Sequence, residues 1–452
     1  MIKAVSRPGR AFWLVLAAGL LVRLFLLPIP NTDDDVVFQT WSRIVTVEGF
    51  HTIYDVYDPV NNPPRECHYP PGYLYVLWAV GSAYQLIASP EFRQETITFL
   101  MVLRVPTVIA DLAVGAILFF SVRSWWGPRA AVAVQAAYVL MPATILDSTI
   151  VTQIDPVQSL LMVGTTVLLV RGRTAAAVAC LTLAILTKPQ AAMLAPVVLS
   201  TAIFRREWRP LAVGLIASVA ITFALCLPFL LNNRVPELAR TLLMPVGTLP
   251  HLSANAFNLW WLVSDGNGWQ PDTLPLLGPL NGRVIGLLLF GLAAAAAVWR
   301  LSRDRHRDSI LLSAAFVTLS FFMLCTEMTE RYLVASVPLF LLLAPSARRY
   351  LVISAVLAVT LFLSLYLVFP LLALSPLEAL GLPHSNYFYN KAADGGPLPV
   401  LRLLSDDGRY FASLWIARVN VAVWLVAAGL TLRTGRSAVP GQPGTEGQLR
   451  SR

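Results

Sequence analysis

Charged side chains are scarce. Asp, Glu, Lys and Arg make up 13% of the 452 residues, about half the share of a soluble domain. That scarcity excludes an ordinary soluble globular fold. The four cysteines form no framework: Cys180, Cys226 and Cys325 lie in or at the ends of apolar stretches, and Cys67 stands alone in a loop. Neither a disulfide scaffold nor a zinc spacing is present. A phosphate-binding glycine loop and a Rossmann glycine pattern are also missing. So is the apolar–polar alternation of a membrane β-barrel, which leaves helices as the way across a bilayer. The net charge of +9 does not indicate a nucleic-acid partner. The basic residues sit in short clusters between apolar stretches, a pattern that sets orientation in a membrane.

What is abundant is apolar surface. Hydrophobic residues make up 56% of the chain and the mean hydropathy is +0.65. Apolar runs long enough for a bilayer recur along the whole length. Candidate spans are 11–29, 72–88, 102–122, 130–146, 157–170, 174–187, 191–204, 211–231, 284–299, 309–325, 332–345, 351–373 and 416–432. The fold expected is an all-α polytopic bundle of about 12–14 transmembrane helices, forming one domain over 1–433. The first span follows Lys3, Arg7 and Arg10 without a small-residue cleavage site, and reads as a retained anchor. The Gly/Pro/Ser-rich segment 434–452 reads as a disordered cytoplasmic tail.

Basic clusters at the N-terminus, Arg123/Arg129, Arg171/Arg173, Arg205–Arg209, Arg300–Arg307, Arg348/Arg349 and Arg433/Arg436 are expected in the cytoplasm. The segments 30–71, 147–156, 232–283, 326–331 and 374–415, with the Lys188 corner, then fall outside. That scheme has one inconsistency. Three candidate spans separate 30–71 from 147–156, whereas an even number is required. Either 72–88 lies along the surface or one basic cluster is misassigned.

The external segments hold the chemistry. Asp33-Asp34-Asp35 follows the first span directly. Carboxylates so close to lipid are costly and mark a functional site, although one Asp alone would read as a helix cap. Val37, Trp41 and Ile44 recur at helical spacing behind them, which predicts a short interfacial helix. Tyr69-Pro70-Pro71-Gly72 then forces an extended chain before a helix start. Arg104 and Asp111 share one helical face in an apolar span and are expected to neutralise each other.

This combination resembles the GT-C superfamily of membrane glycosyltransferases, closest to bacterial relatives of the GPI-anchor mannosyltransferases. In those enzymes an Asp lies seven residues before a Trp and a Tyr-Pro-Pro follows, as do Asp34, Trp41 and Tyr69-Pro70-Pro71 here. Thr152-Gln153-Ile154-Asp155 is similar to the family's Gly-Gln-x-Asp, and Lys188-Pro189-Gln190 to its Lys-Pro-Gln. Asn255-Ala-Phe-Asn258-Leu-Trp260 resembles Asn-Ala-x-Asn-Leu-Trp, and Met328-Thr329-Glu330-Arg331-Tyr332 resembles Met-His-Glu-Arg-Tyr. The likeness spans roughly residues 30–335. It departs at Thr152, where relatives have Gly, and at Thr329, where they have His; any role of that His falls away here or passes to His251.

The resemblance implies transfer of a hexose, mannose first among them, from a polyprenyl-phosphate sugar to a lipid or glycan acceptor. The reaction would take place on the outer face of the cytoplasmic membrane. It picks Asp34 from the triplet as catalytic base, with Asp33 and Asp35 beside it. The residues' own chemistry agrees. A carboxylate can deprotonate an acceptor hydroxyl, and Lys188 and Arg331 can hold a phosphate. Gln153, Asp155, Gln190, Asn255 and Asn258 suit sugar hydroxyls, Trp260 can stack, and Glu330, His251 and Tyr69 complete the candidate set. Blander readings stand beside these: Lys188 snorkelling, Glu330–Arg331 as a structural pair, Asn255 and Asn258 as caps, Trp260 as an interfacial anchor. No cofactor is expected. The acid triplet can ligate a divalent metal, but the monosaccharide-phosphate branch of the superfamily generally uses none. A transporter of lipid-linked sugars is the rival reading. It predicts polar residues spread through the midplane, whereas here they gather at one face.

Overall fold

The structure, a computed structural model, describes residues 8–29, 33–54, 67–94, 96–243, 247, 249–368 and 406–433. Helices dominate it. They are α1 (Arg10–Leu26), α2 (Asp33–Arg43), α3 (Pro71–Ile87), α4 (Ile97–Trp126), α5 (Pro128–Val139), α6 (Pro142–Thr149), α7 (Asp155–Val170), α8 (Thr174–Thr187), α9 (Ala195–Phe204), α10 (Trp208–Leu231), α11 (Val235–Leu243), α12 (Leu259–Val263), α13 (Gly282–Arg303), α14 (Arg307–Leu324), α15 (Ser336–Leu343), α16 (Arg348–Val368) and α17 (Asp406–Leu432). The one sheet among the described residues is a hairpin of β1 (Pro275–Leu277) and β2 (Leu280–Asn281).

Among the described residues, α4, α10, α13, α14, α16 and α17 are long and apolar enough to cross a membrane. The pair α5–α6, bent by 51°, would make a seventh span. The bend falls at Leu140–Met141, just before Pro142, which cannot donate to the preceding turn. Shorter apolar helices α7, α8 and the 3-10/α unit 189–204 pack among them. Helix α14 is buried along nearly its whole length, and its sequence is apolar on every side. Helix α10 turns Ile216, Val219 and Phe223 outward, as a lipid-facing helix does.

The basic clusters meet at one end of the bundle. Arg205 donates to the carbonyls of Leu169 and Arg305, both at 3.0 Å. Arg300 donates to those of Thr431 and Arg433 at 3.2 and 3.0 Å. The Arg307 guanidinium lies 4.0 Å over the Trp126 ring. Asp34, Asp155, Lys188 and Arg331 meet at the other end. Helix α4 and the bent α5–α6 pair are two candidate crossings between Asp34 and Asp155, and α3 is not among the helices long and apolar enough to cross. Its exposed Trp78, Leu86 and Ile87 suit a membrane interface.

Two expectations are corrected. Arg104 and Asp111 do not pair: Arg104 bonds Asp35, and Asp111 bonds Arg23 of α1. Seven residues put them on one face but about 10 Å apart along the axis, so each finds a partner on another helix. The expected external loop 374–415 is helical from Asp406 onward, as the start of α17. The rest of that segment and the tail 434–452 lie outside the described residues.

Candidate active site

The interfacial helix forms where the apolar spacing predicted it, and a π-helical turn over Ile44–Glu48 extends it. Phe38 and Trp41 on its inner face pack against Tyr69 and Tyr73, with ring centroids 5.4–5.9 Å apart. That cluster seats the first turn of α2. Successive helical residues diverge by about 100°, so neighbouring acids face different surroundings. Asp35 points inward and is buried. Asp34 keeps 30% of its side-chain surface exposed and faces a confined, charged space. The side chain of Asp33 lies outside the described residues.

Arg104 anchors this arrangement from α4. Its guanidinium donates to the carbonyls of Leu27, Ile29 and Ile150 and to Asp35 at 2.7–3.1 Å, while Nε reaches the Thr152 hydroxyl at 2.8 Å. One side chain thereby ties the end of α1, the start of α2 and the corner before α7. Thr152 also donates to Asp35. Its φ of 54° is left-handed, a region that glycine adopts freely and a β-branched residue does not. The backbone strain is offset by a hydroxyl on a buried carboxylate. Thr152→Ala keeps the strain and loses the bond, whereas Thr152→Gly loses only the bond. The alanine variant is expected to be the less stable of the two by about 1 kcal/mol, with Thr152→Ser near wild type. Melting temperatures of the three in detergent check the order, and an alanine variant at least as stable as the glycine one would refute it.

Beyond this corner the candidate ligands come together. Asp155 opens α7 and bridges both cations: Lys188 Nζ lies 2.6 Å from Oδ1, and Arg331 Nε 3.8 Å from Oδ2. Arg331 Nη1 lies 3.2 Å from Glu330 and 4.0 Å from Asp34. The Lys188 ammonium sits 4.4 Å over the Tyr332 ring, whose hydroxyl accepts from Gln190 Nε2 at 3.3 Å. Tyr69 donates to Gln153 at 3.1 Å, and Gln153 stands beside Asp34. Burial raises the pKa of Asp34 above its ordinary 3.8; Arg331, Gln153 and Lys188 oppose this, and Asp35 adds to it.

Local sequence explains the positions. Pro189 forbids Lys188 a helical conformation, so Lys188 leaves α8 extended at φ −152°. At Gly72 a Cβ would stand 2.5 Å from the Leu186 carbonyl oxygen. Only glycine lets the start of α3, and Tyr69 before it, lie against the Lys188 corner.

The remaining candidates stand apart. Asn258 caps α12, accepting from the amides of Trp260 and Trp261, and donates to Phe322 O at 2.9 Å. Trp260 donates to Leu324 O at 2.7 Å. Both are committed to backbone groups inside the fold. Asn255, at φ 63°, accepts from Trp269, against which His251 also packs. This stretch borders the Arg331 corner through bonds from Glu327 N to His251 O and from Ala254 N to Met328 O, both 2.9 Å. The sequence reading overlooked Arg23 and Asp147. Arg23 lies within the first apolar span, where an ionisable residue is itself the signal, and Asp147 is the first residue of the segment 147–156. Among the described residues, no three His, Cys, Asp or Glu are grouped to hold a metal.

The sequence model of glycosyltransferase family 87 matches residues 68–326, more than half of the chain. Two solved structures share the fold. The crystal structure of ArnT from Cupriavidus metallidurans bound to undecaprenyl phosphate aligns with a TM-score of 0.52 at 17% identity, covering 94% of this chain and 78% of that one. The same protein in the apo state aligns with a TM-score of 0.52 at 19% identity, covering 93% and 74%. None of the curated proteins compared matches the chain.

Proposed function

The chain belongs to glycosyltransferase family 87, and from that premise we propose that it moves a hexose from a polyprenyl-phosphate sugar to a lipid or glycan acceptor. Membership of a transferase family weighs against the transporter reading. One observation carries the proposal: Asp34 faces Arg331, and Arg331 shares Asp155 with Lys188. A candidate base therefore stands beside two candidate phosphate holders. The fold shared with a protein solved with undecaprenyl phosphate supports a lipid-linked donor. The basic end of the bundle belongs in the cytoplasm by the positive-inside rule. That supports a site on the outer face of the cytoplasmic membrane.

In the reaction, Asp34 takes the proton of the acceptor hydroxyl. The oxygen attacks the anomeric carbon opposite the phosphate. The carbon–oxygen bond to phosphate breaks, its electron pair stays on the phosphate, and the anomeric configuration inverts. The phosphate leaves with one more negative charge. Lys188, a point charge, and Arg331, a two-pronged donor, stabilise that charge as it develops. Glu330 and Asp155 hold Arg331 in place.

The test supplies purified protein in proteoliposomes with polyprenyl-phosphate mannose or glucose, or with nucleotide sugars. Transfer from a polyprenyl-phosphate hexose is expected; transfer from nucleotide sugars alone would end the proposal. Asp34 must be ionised to act. Turnover is therefore expected to fall as pH drops through a pKa above 3.8, since burial raises it. Arg331 lowers that pKa, so Arg331→Gln is expected to shift the acid limb of kcat/KM to higher pH. A limb that stays in place would separate Arg331 from the base.

A further inference from the structure

Asp147 has no part in the chemistry above, yet it is 1% exposed and lies in the last turn of α6, eight residues before Asp155. The charged groups that face it are Asp155, Asp111, Lys188 and Arg331. Both of its carboxylate oxygens are without a hydrogen-bond partner among the described residues. So is Gln190 Oε1 of the candidate site, whereas Asp155 Oδ2 has Arg331 Nε 3.8 Å away. All of these atoms are acceptors. Asp111, by contrast, is saturated by Arg23 and Tyr138, so the want of donors belongs to the side of Asp147 that meets the candidate site.

A buried acceptor left unmade costs about 1–3 kcal/mol, and more when it is charged. The compensation must bring donors. A phosphate brings only acceptor oxygens and would be repelled. A sugar brings hydroxyl groups. We infer, on the donor reading given above, that Asp147, with Gln190 Oε1, grips the hydroxyls of the donor's hexose. The site is then divided by hydrogen-bonding character. Its cations, Lys188 and Arg331, take the phosphate, and its bare acceptors take the ring. The substrate class is a hexose with free hydroxyls at the ring positions facing α6.

The product polyprenyl phosphate separates the two halves, because it has the phosphate and lacks the sugar. Asp147→Asn is expected to raise KM for a polyprenyl-phosphate hexose by about 10- to 100-fold, the factor for a hydrogen bond to a charged group. Inhibition by polyprenyl phosphate should stay within about twofold, which also certifies that the variant is folded. Asp147→Ala should behave alike. A donor KM equal to wild type would overturn the inference. So would a loss of product inhibition by the same factor as the KM change, since Asp147 would then only support the fold or the phosphate half. If polyprenyl phosphate does not inhibit the wild-type protein, the donor reading itself fails, and this inference with it.

Discussion

Asp34→Asn is expected to lower turnover by about 10²- to 10⁴-fold, the usual contribution of a positioned base, in protein that folds and inserts normally. The amide keeps the shape of the carboxylate and cannot accept the acceptor's proton. The fold should tolerate it, because Asp34 is part-exposed and its ion-pair contact, with Arg331, is as long as 4.0 Å. Asp35→Asn provides the contrast. Asp35 is buried against Arg104 at 3.0 Å, so its loss should appear first as instability. Turnover per folded molecule, with folding read by size-exclusion profile and melting, checks both variants. Near-normal turnover in Asp34→Asn beside a folded but inactive Asp35→Asn would move the base to the neighbouring residue.

Arg104→Met is expected to destabilise the protein by about 3–5 kcal/mol, the cost of leaving one member of a buried ion pair without its partner. Whole domains are stable by only about 5–15 kcal/mol, so much of the chain should be unfolded or degraded. The loss exceeds a single bond because Asp35 and three carbonyls on two separate corners are stranded together. Arg104→Lys should recover little, since a point charge cannot reproduce a planar, multi-donor fork. Removing both charges, in Arg104→Met with Asp35→Asn, should be less harmful than the sum of the single changes. Melting in detergent measures each. A single Arg104→Met variant that melts like wild type would show that the anchor carries no weight.

Much of the architecture was legible because helix periods and apolar lengths are local properties. Helix α2 followed from the spacing of Val37, Trp41 and Ile44, whereas Asp34 was singled out by the family resemblance and not by any local period. What escaped the sequence depends on partners far along the chain. Arg104 and Asp111 look complementary on paper, yet their partners lie 69 and 88 residues away. Hydropathy could not separate a surface position of α3 from a crossing one, because an interfacial helix with exposed Trp78 and Leu86 is as apolar as a crossing one. Asn258 looked like a sugar ligand and is a helix cap, because the same amide chemistry serves both ends. Thr152 looked like a defect in a motif, and its φ shows why glycine is the alternative there.

Arg23 has a consequence for how the molecule is made. It lies in the first apolar helix, and its carboxylate partner comes 88 residues later. At about 5–20 residues per second, a nascent α1 waits roughly 4–18 s before Asp111 leaves the ribosome. An unpaired guanidinium at membrane depth costs about 2.5–3.5 kcal/mol even by insertion scales. The first helix is therefore poised to linger at the insertion machinery and to settle only when α4 arrives. Chains cut short before Asp111 would retain that mark of incompleteness, and quality-control proteases that survey the bilayer have in Arg23 a signal to act on.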